Sequence, residues 1–223
     1  MKQTLEQISR EKYFMTDKGK YINNNPSILG NNYWEIYDNI FGSLKNEEIS
    51  LLEFGFGANG HCLETFAEFF TNAKDIIGVD YNQKFLDLKF KNSKIKTFFG
   101  DQDDISSLRN LAEHFGNKKF DIIIDDGSHW SKPVRNSFEV FFDLLKDDGL
   151  YVIEDTYPLI EEMINGKSNI IKELHLAVNE DPNWWSSKRN INFTPIKKSI
   201  KSVYACLGLT IIRKGKHISR FGG

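Results

Sequence analysis

The sequence predicts an open α/β sheet, mostly parallel, on three observations. Short apolar runs alternate with helical patterns from Ile49 to Ile153. The first run opens into a glycine-rich turn, Gly55-Phe56-Gly57-Ala58-Asn59-Gly60. Two later runs end in paired carboxylates, Asp125-Asp126 and Glu154-Asp155. Strands separated by helices at this pitch argue for right-handed βαβ units. Continuous apolar strands fit because such a sheet is covered on both faces.

The elements follow in order. Tyr33, Ile36, Tyr37, Ile40 and Phe41 repeat with amphipathic-helix spacing, and Asn31 or Asn32 can cap that helix. Asn23-Asn24-Asn25-Pro26 ahead of it reads as a loop. Strands are predicted at Ile49–Glu53, Ile76–Asp80, Ile95–Phe99, Asp121–Ile124 and Leu150–Ile153. Helices fall between them: one carries Leu63, Phe66, Phe69 and Phe70, one Phe85, Leu86 and Leu88, and two more span Leu108–Phe115 and Ser137–Leu145. Leu159–Met163 and Ile170–Val178 also read as helical, followed by a polar loop, Asp181–Ser187, with Trp184 and Trp185. Ile200–Tyr204 and Leu207–Ile212 close the chain as two antiparallel strands. The economical division is a single domain over 1–223, with an N-terminal helical extension over about 1–47 and an insertion over about 156–198 after the fifth strand.

Composition narrows the classes. The 223 residues are 40% hydrophobic and 27% charged with a formal net charge of -2, an ordinary globular balance. Nothing in it calls for a nucleic-acid or membrane partner. Cys62 and Cys206 have no metal or redox spacing and read as small reduced hydrophobes. Met1–Lys12 lacks the apolar core of a signal peptide, and no apolar stretch approaches the ~20 residues of a membrane span. A cytoplasmic protein is expected; a homo-oligomer is left open.

The turn after the first strand obeys G-x-G-x-x-G between a strand and a helix. Gly55 permits the sharp turn, Gly57 permits close approach of a ligand, and the helix start offers free N–H groups. Asp80 closes the second strand about 20 residues later, where a carboxylate suits the hydroxyls of an adenosine ribose. The pattern fits NAD and S-adenosylmethionine alike. Glu53, two residues before Gly55, tips it toward S-adenosylmethionine: a buried carboxylate is unfavourable beside a diphosphate but tolerable near a sulfonium and an ammonium. Gly100-Asp101-Gln102 at the third strand end can read an adenine edge or simply form a polar turn.

The acidic strand ends carry the chemistry. Asp125, Asp126, Glu154 and Asp155 are expected to meet above the sheet beside the cofactor, where they repel unless a cation or proton holds them. A hard cation such as Mg²⁺ prefers oxygen ligands and lowers the pKa of a coordinated hydroxyl. His129, three residues beyond Asp126, can take the hydroxyl proton near neutral pH. Asp126-Gly127 is also an ordinary turn pair, and Asp155 can cap a helix. Two acidic pairs on consecutive strands favour function. Trp130, Trp184 and Trp185 read either as stacking surfaces for a sugar or as packing.

Asp125-Asp126-Gly127-Ser128-His129, with Phe138, Leu144-Leu145 and Gly149-Leu150-Tyr151-Val152-Ile153-Glu154-Asp155, resembles the metal-dependent sugar O-methyltransferases of macrolide pathways. The macrocin and mycinamicin enzymes and the cephalosporin hydroxylase/rhamnosyl O-methyltransferase group are of this kind. Gly100-Asp101-Gln102 and Thr16-Asp17-Lys18-Gly19 are similar too, so the likeness spans roughly Thr16 to Asp155. It implies a Rossmann-like class I methyltransferase fold, with a mostly parallel seven-stranded sheet and one antiparallel strand. It implies Mg²⁺ on Asp126, Glu154 and Asp155, with His129 as general base. Asp80 would hold the ribose, Asp101 and Gln102 the adenine, and Asp125 with Thr16 the methionine part. Asn31-Asn32-Tyr33 departs from the histidine usual there, and Thr156-Tyr157-Pro158 from the usual Ser-Tyr-Trp-like stretch. The expected activity is methyl transfer from S-adenosylmethionine to a sugar hydroxyl. The acceptor is a nucleotide-linked sugar, a surface-polysaccharide precursor or a glycosylated metabolite. The alternatives are an NAD-dependent sugar oxidoreductase and a non-catalytic cofactor-binding partner in a biosynthetic complex.

Overall fold

The computed structural model describes residues 3–12, 16–22, 25–179 and 199–215. Its strands belong to a seven-stranded mixed sheet, and the chain divides into two compact units, Met1–Gly100 and Asp101–Gly223.

The N-terminal unit holds a parallel trio. β1 (Ser50–Phe54) pairs with β2 (Asp75–Asp80), which pairs with β3 (Ile95–Phe99). Every residue of β1 and β2 is buried, the apolar majority as a covered parallel strand requires and Ser50, Glu53, Asp75 and Asp80 with them. α3 (His61–Phe69) and the single turn α4 (Gln83–Leu86) pack on these strands, while α1 (Leu5–Lys12) and α2 (Tyr33–Phe41) pack on each other and on α3. Trp34, Tyr37, Phe41, Phe66 and Phe70 form a continuous aromatic cluster, with Trp34 edge-on to Phe66 at 5.3 Å. Asn32 does stand at the N-cap of α2, but its φ of 58° turns its side chain away from the helix N–H groups. Its amide donates to the Glu35 carboxylate instead, at 2.9 Å. The helix N–H groups find backbone acceptors: the N–H of Trp34 donates to the carbonyl of Lys18, and that of Asn32 to the carbonyl of Gly19.

The C-terminal unit pairs β4 (Phe120–Asp125) in parallel with β5 (Leu145–Ile153). β7 (Leu209–Lys214) runs antiparallel to β5 and to the outer β6 (Ile200–Cys206), so β7 is the one reversed strand of these four. Its helices are α5 (Ile105–Phe115), α6 (Ser131–Phe141), α7 (Tyr157–Ile164) and α8 (Ile170–Asn179). α6 begins six residues before the expected Ser137, because Pro133 sits in its first turn, where the missing N–H has no helical partner to lose. Its far end gives way to a 3₁₀ turn over Phe142–Leu144, and Lys214 donates to the carbonyls of Phe142 and Leu145, both at 2.8 Å. Among the described residues no helix is long and apolar enough to cross a membrane.

Candidate active site

In the N-terminal unit, β1 delivers Glu53 and then the glycine turn. Gly55, Gly57 and Gly60 all take positive φ, at 75°, 74° and 65°. A Cβ on Gly57 would meet nothing within 4 Å, so the backbone there is open to a ligand. A Cβ on Gly60 would come within 2.5 Å of Phe90, so that glycine serves packing as well as the turn. Asp80, at the end of β2, is buried and accepts from the N–H of Asn82 at 2.8 Å. The backbone N–H groups of Gly57 and Tyr81 also face it and favour its charged form. Burial pushes the Asp80 carboxyl above its ordinary value, against the pull of those N–H groups.

Thr16 Oγ1 accepts from the N–H of Lys18 at 3.3 Å and shares a hydrogen bond with Cys62 Sγ, on α3, at 3.3 Å. Lys18 Nζ lies 3.3 Å from Glu53 Oε1, and both side chains are fully enclosed. The residues therefore give Glu53 a resident counter-cation. This changes the electrostatic argument: a neutralised Glu53 discriminates less between a sulfonium and a diphosphate than a bare carboxylate would. Lys18 stands in the sequence only as part of a family-like segment; nothing in its polar neighbours signals burial.

In the C-terminal unit, β4 and β5 end level, with Asp125 opposite Ile153 and the N–H of Glu154 donating to the carbonyl of Asp125 at 2.9 Å. Asp126, His129 and Asp155 each place one ligand atom within 4.8 Å of the others, and Asp126 lies within the same reach of Glu154. His129 Nε2 is 3.9 Å from Asp126 Oδ1. Glu154 is buried, whereas Asp126, His129 and Asp155 are partly open. His129 and Asp155 both hold left-handed backbone, φ 59° and 48°, at a cost of order 1–3 kcal/mol each. Such strain persists where surrounding structure over-determines the conformation. The carboxylates suit a hard divalent cation, and an imidazole at their rim suits a proton acceptor.

Asp125 is enclosed differently from its neighbour. Its carboxylate accepts from Gln102 Nε2 at 2.7 Å, from the Tyr151 hydroxyl at 3.2 Å and from the Ser137 hydroxyl. Burial pushes its carboxyl up, with these three donors pulling the other way, and holds the Tyr151 phenol well above its usual range. Gln102 is buried too, and both hydrogens of its amide are engaged, on Asp125 and on Ser137 Oγ at 2.9 Å. Asp101 forms a turn: its carboxylate accepts from the N–H of Asp103 at 2.9 Å, and its own N–H donates to Ser107 Oγ at 3.2 Å. Tyr151 and Ser137 were not among the residues the sequence singled out, since each reads as part of an apolar stripe. Trp130 and Tyr157 are exposed near the cluster in sequence, whereas Trp184 and Trp185 lie outside the described residues.

No protein-family model matches the chain. Among characterised proteins it is 39% identical over 127 residues to a demethylmacrocin O-methyltransferase of Streptomyces fradiae, covering 54% of this chain and 31% of that one. A mycinamicin VI 2''-O-methyltransferase of Micromonospora griseorubida is 36% identical over 127 residues, covering 54% and 30%. The chain thus spans about a third of the length of the curated relatives it matches. Among solved structures, the MycE methyltransferase of the mycinamycin pathway, in complex with Mg and SAH, superposes over 100% of this chain and 57% of its own. The TM-score is 0.73 at 25% identity. A putative caffeoyl-CoA O-methyltransferase from Staphylococcus aureus, 18% identical, shares the fold with a TM-score of 0.50 over 81% of this chain and 82% of its own. The chain has the class I methyltransferase fold, and in sequence it is similar to O-methyltransferases named for demethylmacrocin and mycinamicin VI.

Proposed function

We propose that the chain is an S-adenosylmethionine-dependent, Mg²⁺-assisted O-methyltransferase acting on a sugar hydroxyl. The observation that carries this reading is the convergence of Asp126, His129 and Asp155 at the ends of two neighbouring strands. The likeness to enzymes named as O-methyltransferases, some of them for rhamnosyl or olivosyl compounds, supports it. Thr16, Glu53, Gly55, Gly57 and Asp80 serve the methyl donor, with Asp80 on the ribose. Asp101 serves the adenine. Asp126, Glu154 and Asp155 are the carboxylates that would hold Mg²⁺. A bound divalent cation supplies acidification of an acceptor hydroxyl and fixes its orientation. His129 Nε2 accepts the hydroxyl proton as the oxygen attacks the donor methyl in line, the sulfonium leaving as a neutral thioether.

Since further relatives are named for a rhamnosyl-tetracenomycin and an olivosyl-oleandolide, we take a glycosylated small molecule as the acceptor class, with nucleotide sugars and surface-polysaccharide precursors as the other sugars to test. Exposed Trp130 and Tyr157 are the aromatic faces available to a sugar in this unit. We place the enzyme in the cytoplasm, in keeping with two free cysteines. NAD-linked sugar oxidation shares the glycine turn but accounts for neither the acidic cluster nor the methyltransferase likeness. The test is mass spectrometry of glycoside and nucleotide-sugar pools incubated with the protein, Mg²⁺ and S-adenosylmethionine. A methyl-sized mass gain is expected in one acceptor, lost in Asp126→Ala and His129→Ala while S-adenosylhomocysteine still binds. Gain that survives both substitutions would refute the assigned roles.

A further inference from the structure

The Gln102 side chain reaches three pieces of the C-terminal unit at once. Its Nε2 donates to Asp125 Oδ1 at 2.7 Å, the last residue of β4, and to Ser137 Oγ at 2.9 Å on α6. Its Oε1 accepts from the N–H of Ser128 at 2.9 Å, and its backbone carbonyl accepts from Asn136 Nδ2 at 2.9 Å. A Cβ on Gly127 would sit 1.9 Å from that same Oε1, so the glycine lets the loop close down onto the amide. Asp126 lies between two of the tie points, Asp125 and Ser128, and His129 follows directly in left-handed backbone.

We infer that Gln102 is a positioning residue for the Asp126–His129 loop rather than a reader of the cofactor base. The inference rests on the reading of Asp126 and His129 as metal ligand and proton acceptor. A planar amide is the one uncharged side chain that can donate twice and accept at its tip. It therefore holds Asp125 as an acceptor and Ser128 as a donor with a single rigid group. Both hydrogens are spent, so none remains for a base edge. Removing the amide leaves the Asp125 carboxylate and the Ser128 N–H short of partners and frees the segment that carries Asp126. Residues that orient metal ligands from behind typically change metal affinity about 10–100-fold when lost.

The test uses Gln102→Met, which keeps length and removes both hydrogen-bonding functions, in the full chain. Mn²⁺ binding is followed by electron paramagnetic resonance, S-adenosylhomocysteine binding by calorimetry, and backbone protection by hydrogen exchange. We expect Mn²⁺ to bind about tenfold or more weakly, exchange to rise in the peptide over 126–129, and S-adenosylhomocysteine affinity to stay within about twofold. If Gln102→Met does not fold, Gln102→Asn, which only withdraws the amide by one carbon, should show the same split more weakly. Loss of S-adenosylhomocysteine affinity with unchanged Mn²⁺ binding and unchanged exchange would overturn the inference and return Gln102 to the cofactor. Failure of the wild-type chain to bind Mn²⁺ would instead strike the functional reading; the exchange result on the loop would still decide whether Gln102 pins it.

Discussion

Asp125 and Asp126 are adjacent in sequence and of one chemical type, yet the fold gives them different work. Asp125 is buried under three side-chain donors, whereas Asp126 is partly open and lies within reach of His129, Glu154 and Asp155. Strand alternation explains the split, since successive side chains point to opposite faces at a strand end. The residues alone made the acidic cluster legible, and the resemblance set Asp125 apart from the metal-binding acids; its hydrogen-bond network was not legible, because a polar residue beside a ligand and one inside such a network look alike in one dimension. Gln102 shows the same limit: at a strand end it reads as ligand-facing, and its partners Asp125 and Ser137 lie 23 and 35 positions away in the chain. Asp80 yields a test at this scale. Its carboxyl is raised by burial, so the folded state holds the proton more tightly than the unfolded chain does. That contribution is present below the unfolded value of about 4 and is lost as pH rises through the folded value. Asp80→Asn, which keeps the acceptor for the Asn82 N–H, should therefore lose less stability than wild type as pH climbs from about 4. Urea midpoints measured across that range check it, and parallel slopes would contradict the assignment.

The helices and strands followed the periodicities closely, and the differences have local causes. Pro133, ahead of the expected start at Ser137, occupies the first turn of α6. α1 carries a signal that could have placed it: Thr4 Oγ1 accepts from the N–H of Gln7 at 3.1 Å, and Gln7 Oε1 accepts from the N–H of Thr4 at 2.9 Å. That reciprocal pair is the Thr-x-x-Gln capping box, written in the sequence and masked by the polar residues around it. The segment Thr16–Gly19 was legible only through resemblance, because its work is done by backbone carbonyls on α2 and by one buried ammonium. Lys18→Met should destabilise the chain by about 3–5 kcal/mol by leaving the Glu53 carboxylate buried without its cation. The double change Lys18→Met with Glu53→Gln should recover most of that loss. A double-mutant cycle in urea measures it, and a double variant as unstable as the sum of its singles would contradict a direct pair.

At the scale of the whole molecule, the Met1–Gly100 unit carries the glycine turn, the Lys18–Glu53 pair and Asp80, and the Asp101–Gly223 unit carries the acidic cluster and His129. Alternating strands and helices made the sheet class readable from the sequence, since buried parallel strands must be apolar throughout. The two closing strands are antiparallel as read, but Leu207, read as the start of the second, sits with Gly208 in the turn between β6 and β7, both at positive φ as a tight hairpin demands. The tryptophan-rich loop, which the sequence marks as a contact for an acceptor or as packing, lies outside the described residues. The proposed function, metal-assisted methyl transfer, draws on both sets of features, and one assay addresses it directly. Labelled methyl transfer from S-adenosylmethionine to the acceptor found by mass gain is followed in excess EDTA and again after Mg²⁺ is restored. The account predicts that transfer stops in the chelator and returns with the ion; an undiminished rate in excess EDTA would contradict it.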